Sequence, residues 1–179
     1  MKIAVAILFV LLNLQIGSNI NFEPRMLVKE IQKISGSDKP IPKELMVYKA
    51  GKYFSYTNAK PVSYSFVGRV FSCRTEGCGN DENHLYSANN SEFFDYFILF
   101  DSSGKILSVQ VFNYEATHGQ EITLKSWLNQ FVGYNGSKKL TVGKEIDAIS
   151  GATTSVYSIT NDIVDKTAKL RAFIDSQAR

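Results

Sequence analysis

The segment from Phe93 to Phe112 reads FFDYFILFDSSGKILSVQVF and decides the fold of the chain. Two runs of β-forming residues flank the four-residue sequence Asp101–Gly104. An Asp at the start and a Gly at the end of such a loop suit a type I turn that finishes in a left-handed position. We therefore predict an antiparallel hairpin. In its second strand, alternation places Leu107, Val109 and Val111 on one face, and Ser108 and Gln110 on the other.

The sequence before this hairpin supplies further strands and one helix. Between Val47 and Phe71 β-forming residues dominate, which predicts two or three strands. Residues 25–34 repeat their apolar side chains at helical spacing, which predicts a short helix. The prolines at 40 and 42 predict an extended linker after it. Residues 73–90 are rich in Gly and Asn and lack periodicity, which is typical of a long surface loop.

Two amphipathic segments follow the hairpin. The first predicts a helix that ends at Gly133. Its apolar residues fall at helical spacing: Leu124, Trp127, Leu128 and Phe131. The second carries an apolar stripe from Val156 to Phe173 and predicts a long C-terminal helix packed on the core. The order of the elements indicates an α+β fold, in which an antiparallel sheet packs against helices and the long last helix is preceded by a ligand-binding loop.

Length and composition fit one globular domain. The chain has 179 residues, of which 44% are hydrophobic and 12% aromatic, enough to bury one core without disulfides or a metal. Its 20 basic and 17 acidic residues are spread along the sequence and give a formal net charge of +3. The sequence has no basic run interleaved with aromatic residues, which argues against nucleic-acid binding. It also lacks a Walker loop and a dinucleotide-binding fingerprint.

The first 18 residues have the pattern of an export signal. Lys2 is followed by the apolar run Ile3–Leu12 and by small and uncharged residues up to Ser18. The apolar run is shorter than the roughly 20 residues that a membrane-spanning helix needs. We therefore predict a signal peptide at residues 1–18, or an uncleaved signal anchor, and a domain at residues 19–179 outside the cytoplasm.

A cluster of small and hydroxylated residues precedes the C-terminal helix. It spans Asp147–Ser155 and reads DAISGATTS. Gly151 can adopt backbone angles closed to other residues, and Ala152 leaves room for a bulky group. The unpaired N–H groups of a helix N-terminus stabilise a phosphate, and hydroxyls beside them would assist. Those hydroxyls belong to Thr153, Thr154 and Ser155. The alternative is that they only cap the helix.

These nine residues resemble the flavinylation motif of the FMN-binding domain family. The family occurs in the C and G subunits of the sodium-pumping and Rnf-type redox complexes and in small exported flavoproteins. Its motif is Asp-x-x-Ser/Thr-Gly-Ala-Thr/Ser-x-Ser/Thr, which the chain matches with Asp147, Ser150, Gly151, Ala152, Thr153 and Ser155. The preceding turn at Ser103–Ile106, the segment Glu115–Gly119 and the helix of Trp127 follow the family order, so the resemblance covers the chain from about Phe93 to its end.

The resemblance implies FMN as the cofactor, joined through its phosphate to the hydroxyl of Thr153. A separate flavin transferase would make this bond, using FAD as the donor. Ser150, Gly151, Ala152 and Ser155 would wrap the phosphate and the ribityl chain. Asp147 belongs to the pattern that the transferase recognises. Thr154 occupies the variable position of the motif, and we expect Thr154 and Ser155 to cap the helix.

The segment Glu115–Gly119 departs from the family pattern. The family more often has Glu directly before Thr and Pro directly after it, whereas Ala116 and His118 stand there in this chain. The role of Glu115 is therefore left open. The resemblance implies that Thr117 approaches the flavin ring. His118 would donate a hydrogen bond to the reduced ring or relay a proton, or else remain a solvated loop histidine.

Cys73 and Cys78 lie close together in the sequence and, in an exported protein, predict one disulfide. The alternative is electron exchange between this pair and the flavin, although four residues separate the cysteines instead of the usual two. His84 would be a third ligand for a metal. A fourth ligand is missing from this part of the sequence, so we predict no metal site.

We therefore predict an exported flavoprotein that carries FMN and is an electron carrier more than an enzyme with its own substrate. Its partners would be the flavin transferase and a membrane redox complex or another electron-transfer protein. In this function the flavin does the chemistry, while the protein sets its exposure and potential. Two alternatives are a flavin-dependent reductase with non-covalent FMN and a secreted binding module without a cofactor.

Overall fold

The structure is a computed structural model that describes residues 19–72 and 92–177. Its helices and strands are α1 (Arg25–Ser35), β1 (Pro42–Tyr48), β2 (Gly51–Tyr56), β3 (Tyr64–Phe71), β4 (Phe93–Phe100), β5 (Ile106–Tyr114), α2 (Lys125–Leu128) and α3 (Thr153–Gln177). Short 3-10 turns, Gln120–Thr123 and Asn129–Phe131, flank α2. The strands form an antiparallel sheet in the order β1-β2-β3-β4-β5.

Several predictions from the sequence lie outside the described residues. These are the export signal at 1–18, the long loop at 73–90, the Cys73–Cys78 pair and the position of His84. Among the helices that the structure does describe, none is both long and apolar enough to cross a membrane.

The α+β fold is confirmed, with helices on both faces of the sheet. Strand β4 is buried along nearly its whole length, as expected for a strand covered on both sides. On one face, Phe97 and Leu99 belong to a core with Leu27 and Ile31 of α1. On the other face, a larger core joins the sheet to α3; its members from β4 and α3 are Phe94, Tyr96, Ile98, Phe100, Val156, Ile159, Ile163 and Leu170.

The hairpin of β4 and β5 is confirmed, and Gly104 has the predicted left-handed backbone with φ 78°. The predicted faces of β5 need one correction at Leu107. Phe100 pairs with Ile106 and Leu99 with Ser108, so the register shifts at Leu107. Because a bulge interrupts the alternation, Leu107 packs with the α1-side core and not beside the buried valines that follow it.

The segments on either side of the sheet also differ in detail from the predictions. Strand β1 begins at Pro42, so the predicted linker is shorter than expected; proline is tolerated there because β1 is an edge strand. In place of the predicted helix from Leu124 to Phe131, the structure has the short α2 and one 3-10 turn, Asn129–Phe131. Leu124 has extended backbone and is exposed, and the N–H of Gly133 bonds to the carbonyl of Ile106, so the chain returns to β5 directly after α2.

A polar network holds the middle of α3 to the sheet. The hydroxyl of Tyr96 donates to Asp162 Oδ2 at 2.6 Å, and that of Tyr53 donates to the carbonyl of Lys166 at 2.8 Å. Lys166 Nζ lies 2.9 Å from Asp162 Oδ1 and 2.8 Å from Asp165 Oδ2. Burial and the charge of Asp162 raise the pKa of Tyr96 well above its usual value, so its hydroxyl remains a donor. Burial alone lowers the pKa of Lys166, but the two carboxylates raise it overall.

Replacing Lys166 by Met is expected to lower the free energy of unfolding by about 3 kcal/mol, because the partly buried Asp162 carboxylate then loses the ammonium group that pairs with it. The control, Lys169→Met, removes a more exposed ion pair with Asp165 at 3.0 Å and should cost less than about 1 kcal/mol. Urea unfolding followed by circular dichroism measures both values. Equal losses in the two variants would contradict the anchoring of α3 by this network.

Candidate functional site

A cavity of about 300 Å³ lies beside the N-terminus of α3. Its volume is within the range of small-molecule sites. The cavity is lined by Ser72, Glu92, His118, Gly151, Ala152, Thr153, Thr154 and Ser155. Four stretches of chain therefore meet there: the end of β3, the start of β4, the loop after β5, and the turn with the first residues of α3.

A tight turn leads the chain into α3. The N–H of Ala152 donates to the carbonyl of Ile149 at 3.1 Å, and Gly151 has φ 82°. A positive φ at this point suits the third position of a type II turn, which is why the residue is a glycine. The carbonyl of Ala152 accepts the N–H of Val156 at 2.9 Å, so Ala152 is the N-cap residue of α3. Its methyl group cannot accept a hydrogen bond.

The first amides of α3 are available to a ligand. No residue that the structure describes accepts a hydrogen bond from the N–H of Thr153, Thr154 or Ser155. The expected capping by Thr154 and Ser155 does not hold, because both residues lie inside the helix, after Ala152. The first turn contains no acidic residue that would neutralise the positive end of the helix dipole. This end of α3 therefore presents three donors and a partial positive charge.

The loop after β5 packs closely on the first turn of α3. Gly119 has φ 86°, and a Cβ added there would lie 3.0 Å from Ser155 Oγ and 3.2 Å from the Cβ of Ala152. Ala152 therefore packs closely against Gly119 and also lines the cavity. That its small size leaves room for a bulky group stays a prediction. Ser155 is buried, and its Oγ lies 3.5 Å from the hydroxyl of Tyr114.

Tyr114 holds this loop in place. Its hydroxyl donates to the carbonyl of His118, and its ring stacks on Phe94 at a centroid distance of 5.6 Å. Phe94 is fully buried in the α3-side core. The position of His118 at the cavity is thus fixed through its main chain, while its side chain remains exposed.

Glu92, Thr117 and His118 form a hydrogen-bonded chain at the cavity. The hydroxyl of Thr117 donates to Glu92 Oε1, which also accepts the N–H of Thr117 at 3.2 Å. Thr117 Oγ1 lies 2.8 Å from His118 Nδ1. Sequence reasoning missed Glu92, which precedes the strand β4 and carries no motif of its own.

Ser72 is a second residue that sequence reasoning missed. It lines the cavity with only 2% of its surface exposed, and its Oγ has no hydrogen-bond partner among the described residues. Its N–H donates to the carbonyl of Glu92 at 2.9 Å, which joins the ends of β3 and β4 beside the cavity. A buried hydroxyl without a partner is unfavourable unless a ligand satisfies it.

Asp147 and Ser150 lie beyond the cavity lining, on the approach to the turn. The indole N–H of Trp127 donates to the carbonyl of Asp147 at 2.9 Å, and the N–H of Asp147 donates to Gln130 Oε1 at 2.8 Å. These bonds fix the main chain of Asp147 and leave its carboxylate exposed. The structure thus brings six of the nine predicted site residues to the cavity; Thr117 contacts it through Glu92 and His118.

Within residues 19–72 and 92–177, no cluster of His, Cys, Asp and Glu side chains is arranged to hold a metal ion. The chemistry of the cavity is therefore that of hydroxyls, free amides, one carboxylate and one imidazole. This donor set suits a phosphorylated organic ligand.

Residues 92–166 match the model of one protein family, described as the FMN-binding domain. This segment is an FMN-binding domain. The resemblance seen in the sequence is confirmed, and FMN is the cofactor that the domain indicates. The match begins at Glu92 and includes all nine predicted site residues, whereas Ser72 lies before it. A search of curated proteins gave no match.

The residues at the cavity of the FMN-binding domain fit the phosphate end of FMN. Phosphate oxygens are hydrogen-bond acceptors, and the first turn of α3 supplies three amide donors without internal acceptors. The hydroxyls of Thr153 and Thr154 add two donors at the surface. The buried hydroxyl of Ser72 is a further donor that lacks an acceptor among the described residues. All these groups line one cavity.

Replacing Gly119 by Ala is expected to destabilise the FMN-binding domain by about 3 kcal/mol. About 1 kcal/mol arises from the positive φ, and the rest from pressure of the new Cβ on Ser155 and Ala152. The matched control is Gly133→Ala, since Gly133 has φ 87° but no atom within 4 Å of an added Cβ. The Gly133→Ala variant should be destabilised only by the contribution of the positive φ. Thermal unfolding compares the two, and equal losses would contradict the close packing of Gly119 on α3.

Proposed function

We propose that the protein is an exported flavoprotein whose FMN is joined through its phosphate to Thr153, and that it transfers electrons between protein partners. The observation that carries this proposal is the surroundings of Thr153. Its exposed hydroxyl lies at the start of α3, in a cavity where three amides and the buried Ser72 hydroxyl have no acceptor among the described residues.

The bond would form by transfer from FAD. The Thr153 oxygen bonds to the phosphorus of the FMN half, the bond between the two phosphates of FAD breaks, and AMP leaves. The flavin transferase takes up the hydroxyl proton. The product has a phosphodiester whose remaining charge lies next to the positive end of α3, where the dipole and the free amides stabilise it.

Exposure and motif position favour Thr153 over its two hydroxylated neighbours. Ser155 is only 4% exposed and lies against Tyr114 and Gly119, so an enzyme cannot reach its Oγ without displacing the loop. Thr154 is exposed, like Thr153, but occupies the variable position of the flavinylation motif. The exposed carboxylate of Asp147 remains available for recognition by the transferase.

Glu92, Thr117 and His118 are not arranged as a hydrolytic triad. In a hydrolytic triad the histidine lies between the nucleophilic hydroxyl and the carboxylate. Here the hydroxyl of Thr117 lies between Glu92 and His118, so the imidazole cannot take its proton while the carboxylate orients the ring. The redox chemistry would come from FMN, which accepts and releases electrons.

Export and partners complete the proposal. The signal-like residues 1–18 support a location outside the cytoplasm, as a secreted, periplasmic or membrane-anchored protein. The partners would be a flavin transferase during maturation and a membrane redox complex or another electron-transfer protein during function. Cys73 and Cys78 would form a structural disulfide in that compartment.

Co-expression of the full chain with a flavin transferase is expected to give protein that keeps its flavin fluorescence on a denaturing gel and gains the mass of one FMN. Thr153→Val should lose both signals. The matched control is Thr154→Val, which changes an equally placed threonine one residue away and should keep both. If both signals survive in Thr153→Val, or fail to appear in the wild type, the covalent bond to Thr153 is contradicted.

The same experiment separates the two alternatives. A native protein that is yellow and becomes colourless on denaturation indicates non-covalent FMN and favours the flavin-dependent reductase, which would also turn over with a nicotinamide or quinone donor. A protein that binds no flavin in either form favours a binding module without a cofactor.

Replacing Ser72 by Ala is expected to weaken FMN binding about tenfold in protein made without the transferase, because one hydrogen bond to a charged phosphate is lost. Riboflavin, which lacks the phosphate, serves as the control ligand and should bind the two proteins equally. The variant should unfold within about 0.5 kcal/mol of the wild type, since the Ser72 hydroxyl has no partner among the described residues. Fluorescence titration measures binding, and equal weakening for both flavins would contradict phosphate contact by Ser72.

A further inference from the structure

We propose that Glu92 and Thr117 are positioning residues that hold His118 in its Nδ1–H tautomer, so that Nε2 is the nitrogen that exchanges a proton with the bound flavin. The tautomer follows from the hydrogen bonds of the protein alone. The identity of the proton acceptor rests on the proposed function, in which FMN occupies the cavity.

Counting hydrogens in the Glu92–Thr117–His118 chain fixes the tautomer. A threonine hydroxyl has one hydrogen, and that of Thr117 goes to the Glu92 carboxylate. Thr117 Oγ1 can then only accept from His118 Nδ1, which lies 2.8 Å away. A neutral imidazole carries one hydrogen, so Nε2 is left as an acceptor.

Hydrogen bonds fix the main chain on both sides of residue His118. The N–H of Thr117 donates to Glu92, and the carbonyl of His118 accepts from Tyr114. Gly119 packs against Ser155 directly afterwards. Nε2 has no hydrogen-bond partner among the described residues, and His118 lines the cavity. Nε2 is therefore the ring nitrogen left to a cavity occupant.

Two charged features lie near the imidazole. The Glu92 carboxylate, just before β4, is joined to the ring through Thr117, and the positive end of the α3 dipole lies at the same cavity. From β5, the hydroxyl of Tyr114 donates to the carbonyl of His118. Within α3 the first charged residue in the sequence is Asp162. The remaining charged groups of the adjacent loops, Glu115, Glu121 and Asp147, are exposed.

The proposed step conserves atoms and charge. The electron-transfer protein of the proposed function would give two electrons to the flavin, and the Nε2–H bond of protonated His118 would break as its proton passes to the reduced ring. The imidazole becomes neutral and keeps its hydrogen on Nδ1, so the bonds to Thr117 and Glu92 persist. Because the side chain of His118 is exposed, Nε2 takes a new proton from solvent.

The tautomer is tested by nitrogen NMR on the full chain without flavin. The sequence has two histidines, so His84→Gln leaves His118 as the only histidine signal. At a pH where the ring is neutral, Nδ1 should show the shift of a protonated nitrogen and Nε2 that of an unprotonated one. Glu92→Ala frees the Thr117 hydroxyl to donate to Nδ1 and should switch the ring to Nε2–H. Glu115→Ala, an exposed carboxylate in the same loop, should leave the tautomer unchanged.

Variants of Thr117 separate positioning from a general structural role. Thr117→Ser keeps the hydroxyl and should keep the Nδ1–H form, whereas Thr117→Val should lose the preference for it. Finding Nε2–H in the His84→Gln protein, or the same tautomer in Thr117→Ser and Thr117→Val, would overturn the assignment.

Proton exchange is tested in flavin-loaded protein by following the rate of its reduction with dithionite. The rate in His84→Gln should depend on pH between about pH 5 and pH 8, where an imidazole changes charge, and the double variant with His118→Gln should lose this dependence. The same pH dependence in both proteins would refute proton exchange by His118. If no flavin binds, the proposed function fails and the exchange step with it, while the NMR result still decides the tautomer.

Discussion

The close approach of Gly119 to the first turn of α3 is the contact on which the site depends. A Cβ at this position would crowd Ser155 and Ala152, and the positive φ is one that other residues rarely adopt. Through this contact the loop after β5 brings His118 to the same cavity as Thr153. A hairpin and a helix that are distant in sequence thereby supply the two ends of one site, and the sheet between them serves as the rigid support.

The fold was predictable wherever one stretch of sequence carried its own signal. The hairpin had both its strands and its turn residues in one segment, and the stripe of α3 was long enough to specify its packing. The errors arose where tertiary contacts override local preference. The bulge at Leu107 adjusts the register of β5 to its neighbour β4. The segment after Leu124 does not form a continuous helix, because the chain returns to the sheet at Gly133.

The site was predictable in its hydroxyls and glycine, because the motif before α3 is contiguous. Ser72 and Glu92 could not be found in this way: the pairing of β3 with β4 brings them together, and each is an ordinary polar residue in the sequence. The contact between Ala152 and Gly119 was also hidden, since it depends on how the loop after β5 packs on α3. Residues that act through three-dimensional neighbours leave no periodic or motif signal.

The alanine at the N-cap of α3 leaves this end of the helix without a side-chain cap. A helix that starts on Ala forgoes about 1 kcal/mol of capping energy, and α3 remains stable because Tyr96 and Lys166 hold its middle. A phosphate at this end would act as an external cap, since a ligand that binds only the folded state stabilises it. Copies without the ligand would then unfold and be degraded first, which would enrich the loaded form.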